Sequence, residues 1–473
     1  MTRYTMKKPE KRVLIFLIIL CAALLFFILY VQGEINGLQR FLQKKAESGK
    51  AKIEKTEEIE QMPYTLSLRV AITGADASVY WSDVAVAGED GLVVDVNGQQ
   101  TTITAGETYV YPGEGNVRLS PAGQGQLHIA GRDNGYEGVL EICKTTGGIM
   151  IINEIQMESY LKRVVPSEMP RTYGAEALKA QAVCARTYAY ANSNTYAYPE
   201  ARAHMDDTVS FQVYNNGSET AETNEAIAAT AGEVLLKGSD VLPTMYYSTS
   251  CGYLQDGTMF GGTCDLDVYA SEYSGIEAPV DQFETYIRKG DPYAYESQER
   301  YFRWQGNISA GDMEALRTAL RSLLKDEDAL SCNKKMQRLM TSTKKSAEKA
   351  LGALEEIKIT QRNPGGAAMA MELSFAGGKV LVNGELHIRQ VLGSMVSGLT
   401  LQNGEVLSQV STLPSAAIVV DKQSDNNFVV YGGGFGHGVG MSQNGAKALC
   451  AMGYTYKDIL QYYYKNTQLS KIE

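Results

Sequence analysis

Residues 164–190 read VVPSEMPRTYGAEALKAQAVCARTYAY and decide how the centre of the chain folds. The stretch predicts a loop containing Pro166 and Pro170, followed by an alanine-dense helix from about 176 to 191. Because proline fixes φ and disfavours helix at the residue before it, this loop should hold Glu168 in few orientations. A carboxylic acid held in this way suits proton transfer. The alternative is that Glu168 only complements the N-terminal dipole of the following helix.

A second informative segment lies near the other end, where residues 431–463 read YGGGFGHGVGMSQNGAKALCAMGYTYKDILQYY. The glycine run exposes backbone and leads into a helix, so main-chain N–H groups there could reach a polar or anionic ligand. A nucleotide site is not predicted, because no G-K-[ST] follows and no ribose-binding acid is suitably placed. His437, isolated in a glycine-rich turn, is typical of local hydrogen bonding more than of direct catalysis.

Together the two segments resemble the stage II sporulation protein D family, also called the amidase-enhancer domain family, of bacterial cell-wall lytic transglycosylases. The matching features are PSEMP with EALKAQAVCARTY, and GFGHGVGMSQNGA with YKDILQYYY. Residues 241–252 (VLPTMYYSTSCG) resemble the family's Ser-Thr-Ser-Gly motif, with Cys251 where the family tends to have glycine. Residues 383–398 resemble its R-x-x-L-G stretch. The resemblance runs from about 138 to about 469 and is weakest in the middle.

The resemblance implies one catalytic acid/base, Glu168, the glutamate of the S-E-M-P motif. In such enzymes the C6 hydroxyl of the substrate attacks and a 1,6-anhydro sugar forms, so the second carboxylate of a hydrolytic glycosidase is not needed. The pKa of Glu168 should then be raised by burial. Arg186 has the alternative of being an ordinary surface residue. The residues expected to bind substrate are Gln181, Arg186, Tyr188, Gln212, Tyr214, Ser248, Ser250, His437 and Gln443.

No cofactor is expected, and two other site classes are weighed against the resemblance. Some family members are associated with zinc through a histidine and downstream cysteines, and His204 is present here. Residues 205–214 contain no cysteine, however, and no H-E-x-x-H occurs, so no metal ligand is assigned. The run 248–252 lacks a G-x-S-x-G elbow and an evident triad partner, which argues against a serine or cysteine hydrolase.

Composition excludes few classes but is informative about partners. The chain has 473 residues, enough for two or three domains, and a formal charge of -10 with a pI near 5.2. That acidity argues against a nucleic-acid partner, since phosphate binding needs clustered Lys and Arg. Of the seven cysteines, Cys251 and Cys264 are the closest pair for a disulfide, while Cys184 and Cys450 fit helical patterns as buried free thiols.

The N-terminus carries an uncharged apolar run at 13–31 (VLIFLIILCAALLFFILYV), preceded by basic residues. Its length and flanking charge predict a single transmembrane anchor with a cytoplasmic N-terminus and the remaining chain outside. A cleaved signal peptide is the alternative, but the run is long for one and no A-x-A site follows.

Periodicity predicts an α+β fold downstream of the anchor. Residues 149–153 look like a strand, and a helix is predicted to begin at Glu154. The predicted segments are a cytoplasmic tail (1–12), the anchor (13–31), a charged stalk (32–62), a β-rich region (63–140), a first half of the mixed α/β catalytic core (141–281), a helical insertion (282–364) and a second half of the core (365–473).

The family resemblance also implies the partners and the setting. Glycan strands of peptidoglycan, stripped of stem peptides by an amidase, would be the substrate, in wall remodelling during sporulation and engulfment at the cell membrane. A cell-wall amidase in a membrane complex would be the protein partner. The rival from another class is a catalytically silent glycan-binding module that enhances an amidase.

Overall fold

A computed structural model gives the fold. It describes residues 66–215, 217–260, 280–289, 294–309, 313–408, 410–423 and 427–472. The chain divides into two compact units, Met1–Glu60 and Gln61–Glu473, and every described residue belongs to the second. The predicted tail, anchor and stalk lie outside the described residues. Within the described ranges, no helix combines the length and the apolar character needed to cross a bilayer.

The first described part of the chain is rich in strands, as its short alternating runs predict. A seven-stranded sheet has the order β10-β1-β9-β8-β6-β3-β4, and a three-stranded sheet has the order β5-β2-β7. The strands up to residue 247 are β1 (Ser67–Ile72), β2 (Ala85–Gly88), β3 (Leu92–Val96), β4 (Gln99–Ile103), β5 (Thr108–Val110), β6 (Val117–Pro121), β7 (Leu127–Ile129), β8 (Val139–Lys144), β9 (Ile149–Gln156), β10 (Met205–Asp206), β11 (Glu233–Lys237), β12 (Asp240–Val241) and β13 (Tyr246–Tyr247).

Strand β9 is longer than predicted, and the helix that follows starts later. The ladder continues through Glu154, which pairs with both Arg69 of β1 and Val139 of β8. Because β9 has a partner strand on each side, its backbone groups are satisfied as sheet up to Gln156. Tertiary pairing thus overrides the helical preference of the local sequence, and the predicted helix start at Glu154 is wrong by three residues.

The described residues form ten helices, including the alanine-rich α2, against which several of the others pack. The ten helices are α1 (Met157–Glu168), α2 (Ala175–Asn192), α3 (Ala221–Ala229), α4 (Val280–Lys289), α5 (Met313–Leu323), α6 (Lys334–Thr341), α7 (Lys345–Leu351), α8 (Glu385–Gly393), α9 (Gln443–Ala451) and α10 (Tyr456–Tyr463). Helix α2 contacts α1, α3, α9, α10 and β11. Its alanines allow this close approach on nearly every side, and its bounds agree with the predicted helix to within one residue at each end.

The remaining strands belong mainly to a second half of the molecule. They are β14 (Trp304–Ile308), β15 (Leu330–Ser331), β16 (Leu354–Arg362), β17 (Ala368–Phe375), β18 (Gly378–Asn383), β19 (Val396–Leu401), β20 (Val406–Leu407), β21 (Ile418–Lys422), β22 (Phe428–Gly432), β23 (Met441–Ser442) and β24 (Gln468–Lys471). Two sheets, of orders β20-β19-β14-β22-β21 and β15-β18-β17-β16, share one hydrophobic core between Trp304 and Val430.

The helical insertion predicted for 282–364 is therefore only partly helical. Strand β14 lies inside that stretch and occupies the centre of the five-stranded sheet, between β19 and β22. Its five residues alternate buried and exposed, a strand pattern masked in the sequence by the helix-favouring runs around it. Residues 304–430 form one core together, so the boundary predicted at 364/365 does not separate two packing units.

Cysteine placement agrees in part with expectation. Cys184 is a buried free thiol, as predicted, and Cys450 is a half-buried free thiol that packs against the backbone at Gly174. Cys251 is buried, and its predicted partner Cys264 lies outside the described residues.

Candidate functional site

A cavity of about 670 Å³ opens where the end of α1, strand β13, the glycine-rich turn and helix α8 meet. Glu168 and Gln443 lie in its wall, so the two segments singled out in the sequence share one groove. Tyr188, Ser248 and His437, three of the residues predicted to bind substrate, line it as well. Six aromatic side chains line its walls, namely Tyr188, Phe211, Tyr246, Tyr247, Phe260 and Phe435.

Glu168 is the last residue of α1, which corrects the predicted loop. The helix runs through Pro166, because a proline near a helix end forfeits only the bond to the carbonyl four residues back, that of Lys162. The helical pattern persists to its end, where the Met169 N–H donates to the Val165 carbonyl at 2.9 Å. The dipole alternative also loses support, since the first turn of α2 has its own acidic residue at position 176.

The carboxylate of Glu168 is held by three donors and crowded by protein. Its Oε1 accepts the Val213 N–H at 2.7 Å. Hydrogen bonding by the side chains of Tyr246 and Gln443 also favours its charged form and lowers its pKa. Burial raises the pKa of Glu168 to about 7, although the three hydrogen bonds act in the opposite direction. Solvent still reaches this half-buried group from the cavity. Near neutral pH it can therefore both donate and accept a proton.

Gln212 lies behind the groove, where it orients Tyr246. Gln212 is fully buried, and its Nε2 donates to the Tyr246 hydroxyl at 3.0 Å and to the Ala185 carbonyl at 3.3 Å. Its Oε1 accepts the Tyr160 hydroxyl at 3.1 Å. Because the Tyr246 hydroxyl oxygen accepts the bond from Gln212, its own proton can be donated to Glu168. The structure thus places Gln212 as a support for the acid rather than a residue of the groove surface.

Gln181 plays a similar supporting part for Gln443. Gln443 is the first residue of α9, and its Nε2 lies 3.4 Å from the Oε1 of Gln181. Gln181 is fully buried and does not line the cavity, and within the described residues its own Nε2 lacks a hydrogen-bond partner. The pair joins the centre of α2 to the start of α9, and so links the two segments that form the groove.

Arg186 and Tyr214, also expected to contact substrate, lie away from the cavity. Arg186 is fully buried and forms a two-pronged ion pair with Glu158, Nε to Oε1 at 2.6 Å and Nη2 to Oε2 at 2.9 Å. Its Nη1 donates to the Glu233 carbonyl at 3.2 Å, so it ties α1, α2 and β11 together. The buried Tyr214 hydroxyl donates to Asn153 Oδ1 at 2.6 Å. Neither the surface alternative nor the cleft role fits Arg186.

His437 faces the cavity but is held neutral. The Val439 N–H donates to its Nδ1 at 3.1 Å, which assigns the ring proton to Nε2. Burial lowers the pKa of His437 to about 4, assisted by the positive charge of Arg389 and opposed by a hydrogen bond with the Tyr246 backbone. Its ring also meets the edge of Phe260 at 5.3 Å between centroids. These local bonds favour a wall residue over a proton-transfer catalyst.

The serines of the STS motif differ in placement. Ser248 lines the cavity, whereas Ser250 is buried and its hydroxyl accepts the Gly252 N–H at 2.9 Å within the turn. The Ser250 N–H donates to Glu296 Oε2 at 2.8 Å, and the Ser442 hydroxyl donates to the same oxygen at 2.7 Å. Glu296 therefore fastens the STS turn to the start of α9, and burial raises its pKa to about 8.

Sequence reasoning missed Glu296 altogether. The residue lies in the stretch that was predicted to be a helical insertion, and no motif surrounds it. Only the folded chain brings it against residues about fifty positions earlier and about one hundred and fifty later.

The glycine-rich turn runs directly against β13. At Gly436 (φ +112°) an added Cβ would lie 2.7 Å from the Cβ of Tyr247, and at Gly440 (φ +79°) it would overlap the Met245 carbonyl oxygen. This close approach lets β13 pair in parallel with β23, which sets Tyr247 opposite Ser442, the residue before Gln443. The expectation that the turn offers free N–H groups is wrong for residues 433–436, whose N–H groups all donate to protein carbonyls.

His204, the residue considered for zinc, is engaged by the fold. Its Nδ1 accepts the Arg69 N–H at 3.1 Å, and its ring stacks on Tyr196 at 5.2 Å between centroids. Burial lowers the pKa of His204. In the part of the chain that the structure describes, no three His, Cys, Asp or Glu side chains are grouped as metal ligands would be.

The described residues form a mixed α/β protein in which Glu168, a carboxylic acid with a raised pKa, lies in a cavity lined by several aromatic residues. Comparison with known proteins shows which family this chain resembles. Residues 145–236 match the sequence model of the family described as "Stage II sporulation protein". This range includes Glu168, α2 and the 205–214 loop. The chain therefore contains a stretch similar to this family, and the relatives described next support the stage II sporulation protein D family.

Similarity to individual relatives extends well beyond that range. The chain is 27% identical over 325 residues to the amidase enhancer of Bacillus subtilis (strain 168), covering 66% of this chain but only 40% of that protein. It is 27% identical over 336 residues to the stage II sporulation protein D of the same organism, covering 68% of this chain and 76% of the relative. The protein of the same name from Bacillus amyloliquefaciens is 25% identical over 336 residues, with 68% and 76% covered.

Proposed function

We propose that this protein is a lytic transglycosylase that cleaves the MurNAc-GlcNAc backbone of peptide-denuded peptidoglycan and leaves 1,6-anhydro-MurNAc ends. The observation that carries the proposal is Glu168, an acid with a pKa of about 7 in the wall of an aromatic cavity. A cavity with aromatic walls and few charges suits the apolar faces of sugar rings. The relatives' names, which refer to sporulation and amidase enhancement, favour a cell-wall role.

The reaction needs only one protein acid. Protonated Glu168 gives its proton to the glycosidic oxygen as the C1–O bond breaks, and the C6 hydroxyl of the same muramyl ring attacks C1. The proton of that hydroxyl passes to the Glu168 carboxylate, which restores the acid, and no water is consumed. A pKa of about 7 suits both transfers at neutral pH.

The charges around Glu168 favour this reaction over hydrolysis with two carboxylates. Catalytic carboxyl groups of hydrolytic glycosidases stand roughly 5 to 10 Å apart, close enough for each to shift the pKa of the other. Within the part of the chain that the structure describes, no charged side chain contributes to the raised pKa of Glu168. Of the described residues that line the cavity, the other carboxylate is Glu385, which is ion-paired with Arg389.

The setting follows from the same proposal. We place the protein at the cell membrane, anchored by residues 13–31 with the enzyme domain outside, where it acts on glycan strands during sporulation-related wall remodelling. An amidase that removes stem peptides would be its partner in a membrane complex, and no cofactor takes part. The name of the amidase enhancer relative favours a second candidate, a glycan-binding module that stimulates an amidase without cleaving glycan.

Product analysis separates these candidates. Full-length protein is incubated with glycan strands from which an amidase has removed the stem peptides, and the ends are identified by mass spectrometry. The wild type should yield anhydro-muramyl ends, Glu168→Gln should yield none, and Glu222→Gln, which removes an exposed carboxylate outside the cavity, should match the wild type. Reducing ends heavier by one water would indicate hydrolysis. Glycan binding without either product would establish the binding module.

A further inference from the structure

The part of the cavity wall that the structure describes carries one positive charge. Of the described residues that line it, three carry ionisable acid or guanidinium groups, namely Glu168, Glu385 and Arg389, and Arg389 is the one cation among them. Most other lining groups are aromatic, aliphatic or small and neutral. A guanidinium in such surroundings, even one paired with a carboxylate, acts on a ligand more strongly than it would at an open surface, because little water screens it.

The Arg389 side chain is held in place by protein contacts but still has hydrogen-bonding capacity available. It belongs to α8, its Nε donates to the Leu413 carbonyl at 2.9 Å, and its Nη1 lies 3.1 Å from Glu385 Oε2. Its Nη2 has no hydrogen-bond partner among the described residues. The side chains of Arg389 and Glu385 are each 12% exposed, so the pair is mostly enclosed and is reached from the cavity.

The position of the guanidinium within the groove can be bounded. Its charge contributes to the lowered pKa of His437, so it lies close to the wall that His437 forms. It belongs to α8, whereas Glu168 ends α1, so the two groups come from different elements of the cavity wall and we expect Arg389 to meet a part of the glycan other than the bond being cleaved.

We propose that Arg389 binds a free lactyl carboxylate of the glycan and so lets the groove select strands whose stem peptides have been removed. This inference rests on the proposed glycan substrate. Removal of the stem turns the lactyl amide of each muramyl residue into a carboxylate, which is the only charge the amidase product gains in the glycan strand. A guanidinium fork suits a carboxylate, and a charged acceptor bonds more strongly than a neutral amide oxygen.

Glu385 tunes this selection. Its carboxylate pairs with Nη1 of Arg389 and repels an incoming anion. A bound lactyl carboxylate can therefore accept a hydrogen bond from Nη2, but it must compete with Glu385 for Nη1. Loss of the Glu385 charge should therefore strengthen carboxylate binding, whereas loss of the Arg389 charge should abolish the preference. A purely structural Arg389 would give neither result.

The test measures binding in a background that cannot cleave. Full-length Glu168→Gln is titrated with a fluorescently labelled GlcNAc-MurNAc tetrasaccharide, and separately with the same sugar after its lactyl carboxylates are converted to methylamides. A charge-assisted hydrogen bond predicts about ten- to hundredfold tighter binding of the carboxylate form. Added Arg389→Gln should bring this ratio to about one, Arg389→Lys should retain part of it, and Glu385→Gln should raise it.

A cation outside the cavity serves as the matched control. Lys379→Gln removes the charge of an exposed lysine paired with Glu372, and it should leave the ratio unchanged. Because Arg389 also ties down Leu413, thermal unfolding of each variant is recorded, and the ratio of the two sugars cancels a general loss of affinity.

Two outcomes overturn the inference: equal binding of both sugars by the Glu168→Gln parent, or a ratio that survives Arg389→Gln. Cleavage by the wild type is scored separately. If no anhydro ends form and the carboxylate preference nonetheless depends on Arg389, the proposed reaction fails while the assignment of Arg389 stands.

Discussion

Replacing Tyr246 with phenylalanine should raise the pKa of Glu168 above its value of about 7. The Tyr246 hydroxyl hydrogen-bonds to the Glu168 carboxylate and so stabilises its charged form. A hydrogen bond to a charged group contributes about 1.5 to 3 kcal/mol, and each pKa unit corresponds to about 1.4 kcal/mol. Loss of this bond therefore predicts an upward shift of about one to two units.

The assay is the pH dependence of anhydro-muramyl end formation from denuded glycan. Cleavage requires protonated Glu168, so activity should fall as pH rises through its pKa, and in Tyr246→Phe this fall should occur about one to two pH units higher. Nuclear magnetic resonance of ¹³C-labelled glutamate carboxyls, with Glu168→Gln to assign the signal, follows the same titration without depending on turnover.

Tyr214→Phe is the matched control. It also deletes one buried hydroxyl that donates a single bond, to Asn153, but it does not touch Glu168. Both variants should lose about 1 to 3 kcal/mol of stability, because each leaves a buried polar group with one bond fewer. Only Tyr246→Phe should move the pH profile. If the alkaline limb stays in place in Tyr246→Phe, or moves equally in Tyr214→Phe, the assignment of the hydroxyl to Glu168 is refuted.

Two further predictions concern stability. Since burial raises the pKa values of Glu168 to about 7 and Glu296 to about 8, from 4.5 in both cases, the folded state binds more protons than the unfolded state between these limits. The unfolding free energy should therefore fall as pH rises through that window, by up to about 1.4 kcal/mol per pH unit for each group. Calorimetry from pH 5 to 7 should show a shallower fall in the double variant Glu168→Gln/Glu296→Gln than in the wild type. Parallel curves for the two proteins would contradict this prediction. Arg186→Met leaves the Glu158 carboxylate without its ion-pair partner, so urea denaturation should show an unfolding free energy lower by about 3 kcal/mol, while glycan affinity is unchanged. Weaker glycan binding with unchanged stability would instead indicate that Arg186 contacts the substrate.

Sequence patterns were sufficient to predict which acid would lie in the groove and which central helix would follow it. The alanine-dense run predicted α2 to within one residue, because 3.6-residue periodicity and small side chains are local properties. The S-E-M-P motif singled out Glu168, and the C-terminal segment supplied Gln443 and His437, all three of which the structure brings to one cavity. The alternating runs after residue 63 likewise predicted strands.

Sequence patterns did not reveal which polar residues would line the cavity and which would be buried behind its wall. Gln212, Gln181 and Arg186 belong to motifs of the family, yet all three are fully buried and act on their neighbours. A motif shows that a residue type is needed at a position, but buried hydrogen bonding and contact with a ligand require the same polar side chains. Only the packed structure distinguishes them.

By itself, the sequence determined the central helix, the strand-rich start, the glycine-rich turn and the identity of the acid, since each depends on residues close together in the chain. The tertiary structure alone decided the raised pKa of Glu168, the lowered pKa of His437 and the hydrogen bonds of Glu296 to Ser250 and Ser442. It also decided that Arg389 is the one cation among the described residues that line the cavity. These properties depend on burial and on partners that are distant in sequence, such as Gln443, which lies 275 residues after Glu168. Desolvation of a side chain exists only once the chain has folded.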